Sequence, residues 1–279
     1  MTEVLARLAR AEVRKTFSTK LWWALLIPVV LLSASINLFG GLFSLSLGLL
    51  PGELERLPLL LASLAYALAL TTVFAAVHGI VATAGEFRHR TITTTYLTAP
   101  GRGPVLVAKM AVSAAVGVVY AVAAVLVGVV AGLVALAGGA VPEVGALLAV
   151  SGIGIAVVAL WSALGAALGM LISNQVAVLV VALVYVLVGE NVVSALLNNS
   201  DSAAVAASTS YLPVNAGDVA LYDVPADVLA GPVLGHQIVE GLAGVSAAPP
   251  WWVALLVLTA WTAAVAAAGW LVGGRRDIT

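Results

Sequence analysis

The chain has no cysteine and little charge: of 279 residues only 9% are Asp, Glu, Lys or Arg, and aromatic residues make up 6%. Without cysteine there is no disulfide framework, no thiolate metal site and no cysteine nucleophile, and cysteine usage says nothing of the redox compartment. A soluble domain carries about 25% charged residues, so this chain has too little polar material to cover a water-facing surface. An excess of one charge is missing too: 12 Lys and Arg stand against 13 Asp and Glu, a formal net charge of −1, which argues against nucleic acid as a partner. What is present is apolar, 62% of all residues. At roughly 20 apolar residues per crossing, the length suits about six membrane helices and leaves no soluble domain over. The expected fold class is an all-α polytopic membrane protein, a single transmembrane domain over residues 1–279.

Apolar stretches long enough to cross lie near Leu21 to Leu47, Leu59 to Ala84, Val105 to Ala137, Gly145 to Ile172, Val176 to Leu197 and Trp251 to Gly273. Between them stand helix breakers: PGELERLP from Pro51 to Pro58, APGRGP from Ala99 to Pro104, GGAVPEV from Gly138 to Val144, and Pro249 with Pro250. The third stretch is longer than a bilayer needs, so it tilts or extends into water at one end. Lys and Arg are kept on the cytoplasmic side in short connections and near span ends. Arg7, Arg10, Arg14, Lys15 and Lys20 precede the first span, Arg88, Arg90, Arg102 and Lys109 flank the second connection, and Arg275 and Arg276 close the chain, leaving Arg56 for the opposite face. Both termini are therefore expected in the cytoplasm. Trp22, Trp23, Trp251, Trp252 and Trp270 fall near span ends, where indole rings favour the headgroup layer. Ser33, Ala34 and Ser35 resemble a signal cleavage site, but the apolar stretch runs on past them and the first span is read as retained.

Residues 1–20 read as a surface helix. On a 100° wheel Glu3, Arg7, Arg10 and Arg14 share one narrow face of Thr2 to Ser18, with Val4, Leu5, Leu8, Val13 and Phe17 around the rest. Such a helix lies along the membrane, basic side to anionic headgroups. Glu12 breaks the pattern beside Leu5 and Leu8, either as a local pair with Lys15 or as a contact to another cytoplasmic element. The second connection, residues 85–104, is read as a cytoplasmic loop. In the sequence GEFRHRTITTTYLTAPGRGPVLVAK from Gly85 to Lys109, Glu86 and Arg90 are spaced for an i,i+4 pair, so the second helix continues a turn or two past the membrane.

This loop resembles that of exporter-type ABC transporter permeases, the six-span subunits of drug, antibiotic and polysaccharide exporters. Glu86, Thr91, Leu97, Pro100, Arg102 and Lys109 match the family's order of a glutamate after the second span, a threonine, a leucine and proline, a basic turn and a lysine opening the third span. Arg90 stands where a glycine is frequent. RAEVRKTFSTKLWWALL at the start, YLPVNAGDVAL (Tyr211 to Leu221) and GWLVGGRRDIT (Gly269 to Thr279) look like actinobacterial members. The resemblance implies a bacterial cytoplasmic membrane, a second permease subunit to form a dimer, and a separate ATP-binding subunit. That subunit would seat against the N-terminal helix and the first cytoplasmic loop, with Glu12, Glu86, Arg88, Arg90, Thr91, Pro100 and Arg102 as the coupling residues. No GxxxxGK[ST] occurs, the only lysines being Lys15, Lys20 and Lys109, so ATP and Mg²⁺ would be bound by the partner and this chain would not itself be an enzyme.

Within the spans, Glu190 is the one deep acid, roughly 22 Å along the fifth helix. A carboxylate there is costly unless protonated, hydrogen-bonded or wet, and both an interhelix hydrogen bond and a substrate-pathway or proton-linked role fit it. Asn191 and Asn37 are candidate partners, and His78, at a different depth, completes the substrate-pathway candidates. Gly128 with Gly132 and Gly165 with Gly169 give two small-residue faces for close helix approach, consistent with a dimer. The connection from 198 to 250 holds five acids and no Lys or Arg and is expected outside, with one or two short interfacial or re-entrant helices. Its Asp223, Asp227, His236 and Glu240 have irregular spacing for a metal site and read as a solvated acidic surface. An intramembrane protease lacks its GxSxG or HExxH here, and a retinal protein its lysine in the last span. The alternative to the ABC reading is an ATP-independent secondary transporter or channel using Glu190.

Overall fold

In a bilayer every backbone N–H and C=O has to be bonded within its own segment, so long runs of Ala, Leu and Val have the helix as their stable form. The computed structural model describes residues 2–46, 59–99, 101–136 and 141–275. Among these there is no strand. In chain order come α1 (Thr2–Ser18), α2 (Leu21–Ser46), α3 (Leu59–Arg88), α4 (Ile92–Thr98), α5 (Arg102–Leu136) and α6 (Val144–Leu171). Then follow α7 (Gln175–Val184), a π-helical turn (Tyr185–Gly189), α8 (Glu190–Asn198), α9 (Ala203–Ala207), a 3₁₀ turn (Ser208–Tyr211), α10 (Pro213–Ala243) and α11 (Trp251–Arg275). Six of these segments are long and apolar enough to cross a membrane: α2, α3, α5, α6, the α7–α8 run and α11. The chain is a multi-pass helical membrane protein, with span ends within a few residues of those read from the sequence. The breakers at Pro51 to Pro58 with Arg56, the Gly138 end of the third connection, Pro100 and Arg276 lie outside the described residues.

The centre of the bundle is the α3–α6 pair, and glycine sets its spacing. A β-carbon on Gly79 would overlap the Ser162 carbonyl, one on Gly165 the Ala76 carbonyl, and one on Gly169 would sit 2.9 Å from the Ile80 carbonyl. The backbones therefore approach as closely as small residues allow, which is how helices gain packing energy where apolar burial offers little. Gly128 and Gly132 of α5 likewise receive Asn37, Ser33, Leu64 and Leu60 from α2 and α3. Both small-residue faces read from the sequence as consistent with a dimer are thus occupied inside the chain. Leu61, Leu64, Leu68, Tyr120, Val157 and Leu258 fill the shared core.

The turn between α6 and α7 is short because Asn174 caps the new helix, its side-chain oxygen accepting from the amides of Val176 and Ala177 at 3.1 Å each. The fifth span is the least covered of the six, and Val180, Val184, Leu187 and Val188 remain exposed along it. Beyond it, α10 is a helical hairpin. Gly231 breaks it with φ 74° and ψ 171°, and a β-carbon on Gly235 would lie 2.8 Å from the Ala226 carbonyl, so the two halves fold back on each other. The stretch read as an outer connection with short helices is in large part this hairpin, packed on α3, α6 and α11.

Candidate functional site: a charge ring beneath the N-terminal helix

The face of α1 turned to the bundle carries Leu5, Leu8, Glu12 and Thr16, while Arg7, Arg10 and Arg14 are exposed. Glu12, out of place on the wheel, is the docking residue: it is 8% exposed. Its carboxylate accepts from Lys15 Nζ at 2.7 Å through Oε1 and from Lys109 Nζ at 2.8 Å through Oε2. Both readings of Glu12 therefore hold together, the local pair and the contact to another element. Lys109, two turns into α5, also donates to Glu86 Oε1 at 2.6 Å, and Lys15 reaches the same oxygen at 3.0 Å. Signs alternate around the ring Glu12, Lys109, Glu86, Lys15, with no net charge. Thr95 of α4 accepts from Lys15 at 3.1 Å and lies 3.3 Å from both Glu86 Oε2 and the Thr91 carbonyl, to which its hydroxyl donates. One cluster thus ties α1, α3, α4 and α5.

Burial opposes the Lys15 charge, but the hydrogen bond and field of Glu12 and then those of Glu86 outweigh it and hold the ammonium pKa above its ordinary value. Lys109 is 3% exposed. A charge so far from water is tolerated only when paired and hydrogen-bonded, as it is here.

The end of α3 explains why Glu86 and Arg90 do not pair. Thr91 N–H bonds back to the Glu86 carbonyl at 3.0 Å and Arg90 N–H to that of Phe87 at 3.2 Å, the two bonds of a Schellman closure. That closure needs a left-handed residue, and Arg90 supplies it at φ 56°. Arg90 is therefore past the helix, off the i,i+4 face, and a glycine would suit its conformation better. Arg88, His89, Arg90 and Thr91 are exposed, and Leu97 on α4 is 82% exposed. Arg102 turns the other way. Its guanidinium donates to the Gly273 carbonyl near the end of α11 and lies 5.3 Å over the Tyr96 ring, while the Tyr96 hydroxyl meets Met170 Sδ at 3.2 Å. Of the seven residues expected to couple, Glu12 and Glu86 are joined through Lys15 and Lys109, Thr91 closes the end of α3, Arg88 and Arg90 are exposed and Arg102 ties α5 to α11; Pro100 lies outside the described residues. Sequence reading passed over Lys15, Lys109 and Thr95 as site residues. The available signal was the lone Lys109 in the apolar run Val105 to Val112, which needs an acid, with Glu12 and Glu86 expected at the same end of the spans.

The substrate-pathway candidates do not converge. Asn37 Nδ2 donates to the Ser33 carbonyl and its Oδ1 accepts from Ser63, an α2–α3 link. His78 lines a cleft of about 580 Å³ beside the ring, together with Lys15, Thr19, Glu86 and Gln175. Its Nδ1 has no partner among the described residues, and its ring stands edge-on to Tyr120 at 6.0 Å. Glu190 lies at the far end of the bundle, buried, and its oxygens accept the Val214 and Asn215 amides at 3.0 and 2.7 Å. It caps the N-terminus of α10, where a carboxylate is favoured, and the π turn brings Tyr185 round to hydrogen-bond it as well. Asn191 points away, donating to the Leu187 carbonyl, so neither asparagine pairs with Glu190.

Two acids of the 198–250 stretch are similarly engaged in holding the hairpin. Asp223 accepts the Trp251 amide at the start of α11, at 2.9 Å, and Glu240 the Ala248 amide at 3.3 Å while facing His236 at 3.4 Å. Asp218 is partly buried, and that burial, with Glu190 close by, pushes its carboxyl up to about 7. No group of three or more metal-ligating side chains occurs among the described residues.

No known protein family matches this chain, and no curated protein matches it either.

Proposed function

We propose that the chain is the permease subunit of an ATP-driven exporter of the ABC type. It works as a homo- or heterodimer in a bacterial cytoplasmic membrane with both termini in the cytoplasm, and ATP and Mg²⁺ are bound by a separate ATPase. The observation that carries this reading is the charge ring. Through Glu12, Lys15, Glu86, Lys109 and Thr95, the surface helix α1 and the short helix α4 are bonded to the ends of two spanning helices, α3 and α5. A force applied to α1 or α4 is then delivered to the centre of the bundle rather than lost in a loose loop. Leu97 on α4 is an exposed apolar side chain, and Arg88 and Arg90 at the end of α3 are exposed cations, so this part of the chain offers the ATPase both apolar and basic groups to grip. Such a device is expected of a subunit driven from outside itself. A secondary transporter using Glu190 would need that carboxylate free for a proton or ion, and both its oxygens are taken by amides.

The test is Glu86→Ala in a complex purified with an ABC-type ATP-binding subunit that binds this chain. The complex should still form, because the exposed residues are intact, while stimulation of ATP hydrolysis by the permease falls at least tenfold. Unchanged stimulation would remove the coupling role of the ring.

A further inference from the structure

Between α3, α6, α7 and α11 lies a cavity of about 290 Å³, walled by Ala76, Trp161, Ala182, Val186, Trp261 and Val265 among others. It faces the middle of α3, from Thr72 to Ile80, about 12 Å of helix axis. Water has little to hold it there. Thr72 donates to the Ala69 carbonyl, the Trp261 indole to the Tyr211 carbonyl, and Tyr185 is bonded to Glu190, whereas a buried water needs two to four polar partners. An empty apolar hole of this size would strip its walls of contacts on one side. The space is closed by α3 and α6 behind, while α7 packs on α3 and α6 and α11 packs on α6, α5 and α10. The gap between α7 and α11 is thus the way in, and both are spanning helices with lipid-type outer faces, so what stands at that gap is hydrocarbon.

We propose that this cavity is a binding site for one acyl chain of a bilayer lipid, which enters between α7 and α11 and lies against the Trp161 ring. At roughly 30 Å³ per methylene, the volume of a liquid water, the cavity holds on the order of ten carbons, most of one tail. Trp161 reports on it because its side chain is only 5% exposed, so lipid outside the bundle touches it little. The chain's role is to prop α7 away from α11, and it stands whether or not an ATPase drives the protein.

The experiment places a variant keeping Trp161 as its sole tryptophan, the other six replaced by phenylalanine so that position 261 keeps an aromatic wall, in vesicles of phosphatidylcholine brominated at mid-chain, with unbrominated vesicles as reference. Bromine quenches indole at close range. Quenching of Trp161 should be strong, and should fall at least twofold in Ala182→Phe and in Val265→Phe, which fill the cavity from opposite walls. Equal quenching with and without the fillers, or none at all, overturns the proposal. Should the loss of six tryptophans prevent folding, the same fillers in the chain with all its tryptophans must still lower total quenching, and no change there is equally decisive. If quenching in the unfilled protein is weak until a free apolar solute such as dodecane is washed out, the site belongs to a soluble hydrocarbon and the lipid assignment is wrong.

Discussion

Lys109 is 3% exposed and is bonded to two acids from other helices. Replacing it with methionine leaves Glu12 and Glu86 against Lys15 alone, which is half-exposed. Breaking a buried pair in this way costs about 3 kcal/mol or more. The Lys109→Met protein should melt well below wild type, and adding Glu86→Gln should recover part of the loss, since fewer charges are then left uncompensated. Lys15 makes a different prediction. Its pKa is raised on folding, so its stabilising contribution is complete below the unfolded value, about 10.4, and is lost as pH climbs through the higher folded value. A fluorescent probe on a single cysteine placed at exposed Val13 should report release of α1 only above about pH 10.4, and Lys15→Met should remove that step. Arg90 is a residue in a glycine's conformation, at φ 56°. Arg90→Gly should therefore stabilise, by up to about 1 kcal/mol in thermal unfolding; destabilisation would mean that the Arg90 side chain holds something in place.

At the scale of elements, the hairpin α10 depends on one backbone angle. Gly231 occupies φ 74°, ψ 171°, a region nearly closed to other residues, yet a β-carbon there would meet nothing within 4 Å. Gly231→Ala should cost about 1–3 kcal/mol by backbone strain alone. Gly241, helical in the second half of the same hairpin and equally unobstructed, is the control: Gly241→Ala should raise stability by up to about 1 kcal/mol. Melting curves of the two variants that shift in the same direction would mean the hairpin does not turn at Gly231. Glu190 belongs to this scale too, as the cap that seats the hairpin against the fifth span.

Across the whole molecule, what the sequence showed well was whatever depends on one segment at a time. The six spans follow from run length and hydropathy, and α1 appears with the same ends, Thr2 and Ser18, as were read from its wheel. What it showed poorly was which groups meet. The i,i+4 spacing of Glu86 and Arg90 was sound arithmetic for a continuing helix, but the Schellman closure placed Arg90 off that face and freed Glu86 for Lys109, 23 residues on. The misfit of Glu12 on its wheel was a true sign of a tertiary contact, without saying to what. Glu190 was read with its sequence neighbour Asn191, whereas its partners are amides 24 and 25 residues away. Long-range pairs of this kind are set by helix packing, and here the packing is set by glycines whose faces turned out to serve α2, α3 and α6 within one chain.

The central claim is that α1 and α4 form the seat of a separate ATPase, and Leu97 offers the cleanest trial because at 82% exposure it contributes nothing to the fold. The measurement is the amount of ATPase retained when this chain, affinity-tagged, is purified after co-expression with a candidate ABC-type ATP-binding subunit. Wild type should retain that subunit in equal amount and Leu97→Asp should retain at least tenfold less at unchanged thermal stability. Equal retention by both proteins, or no ATPase bound to either, would contradict the account.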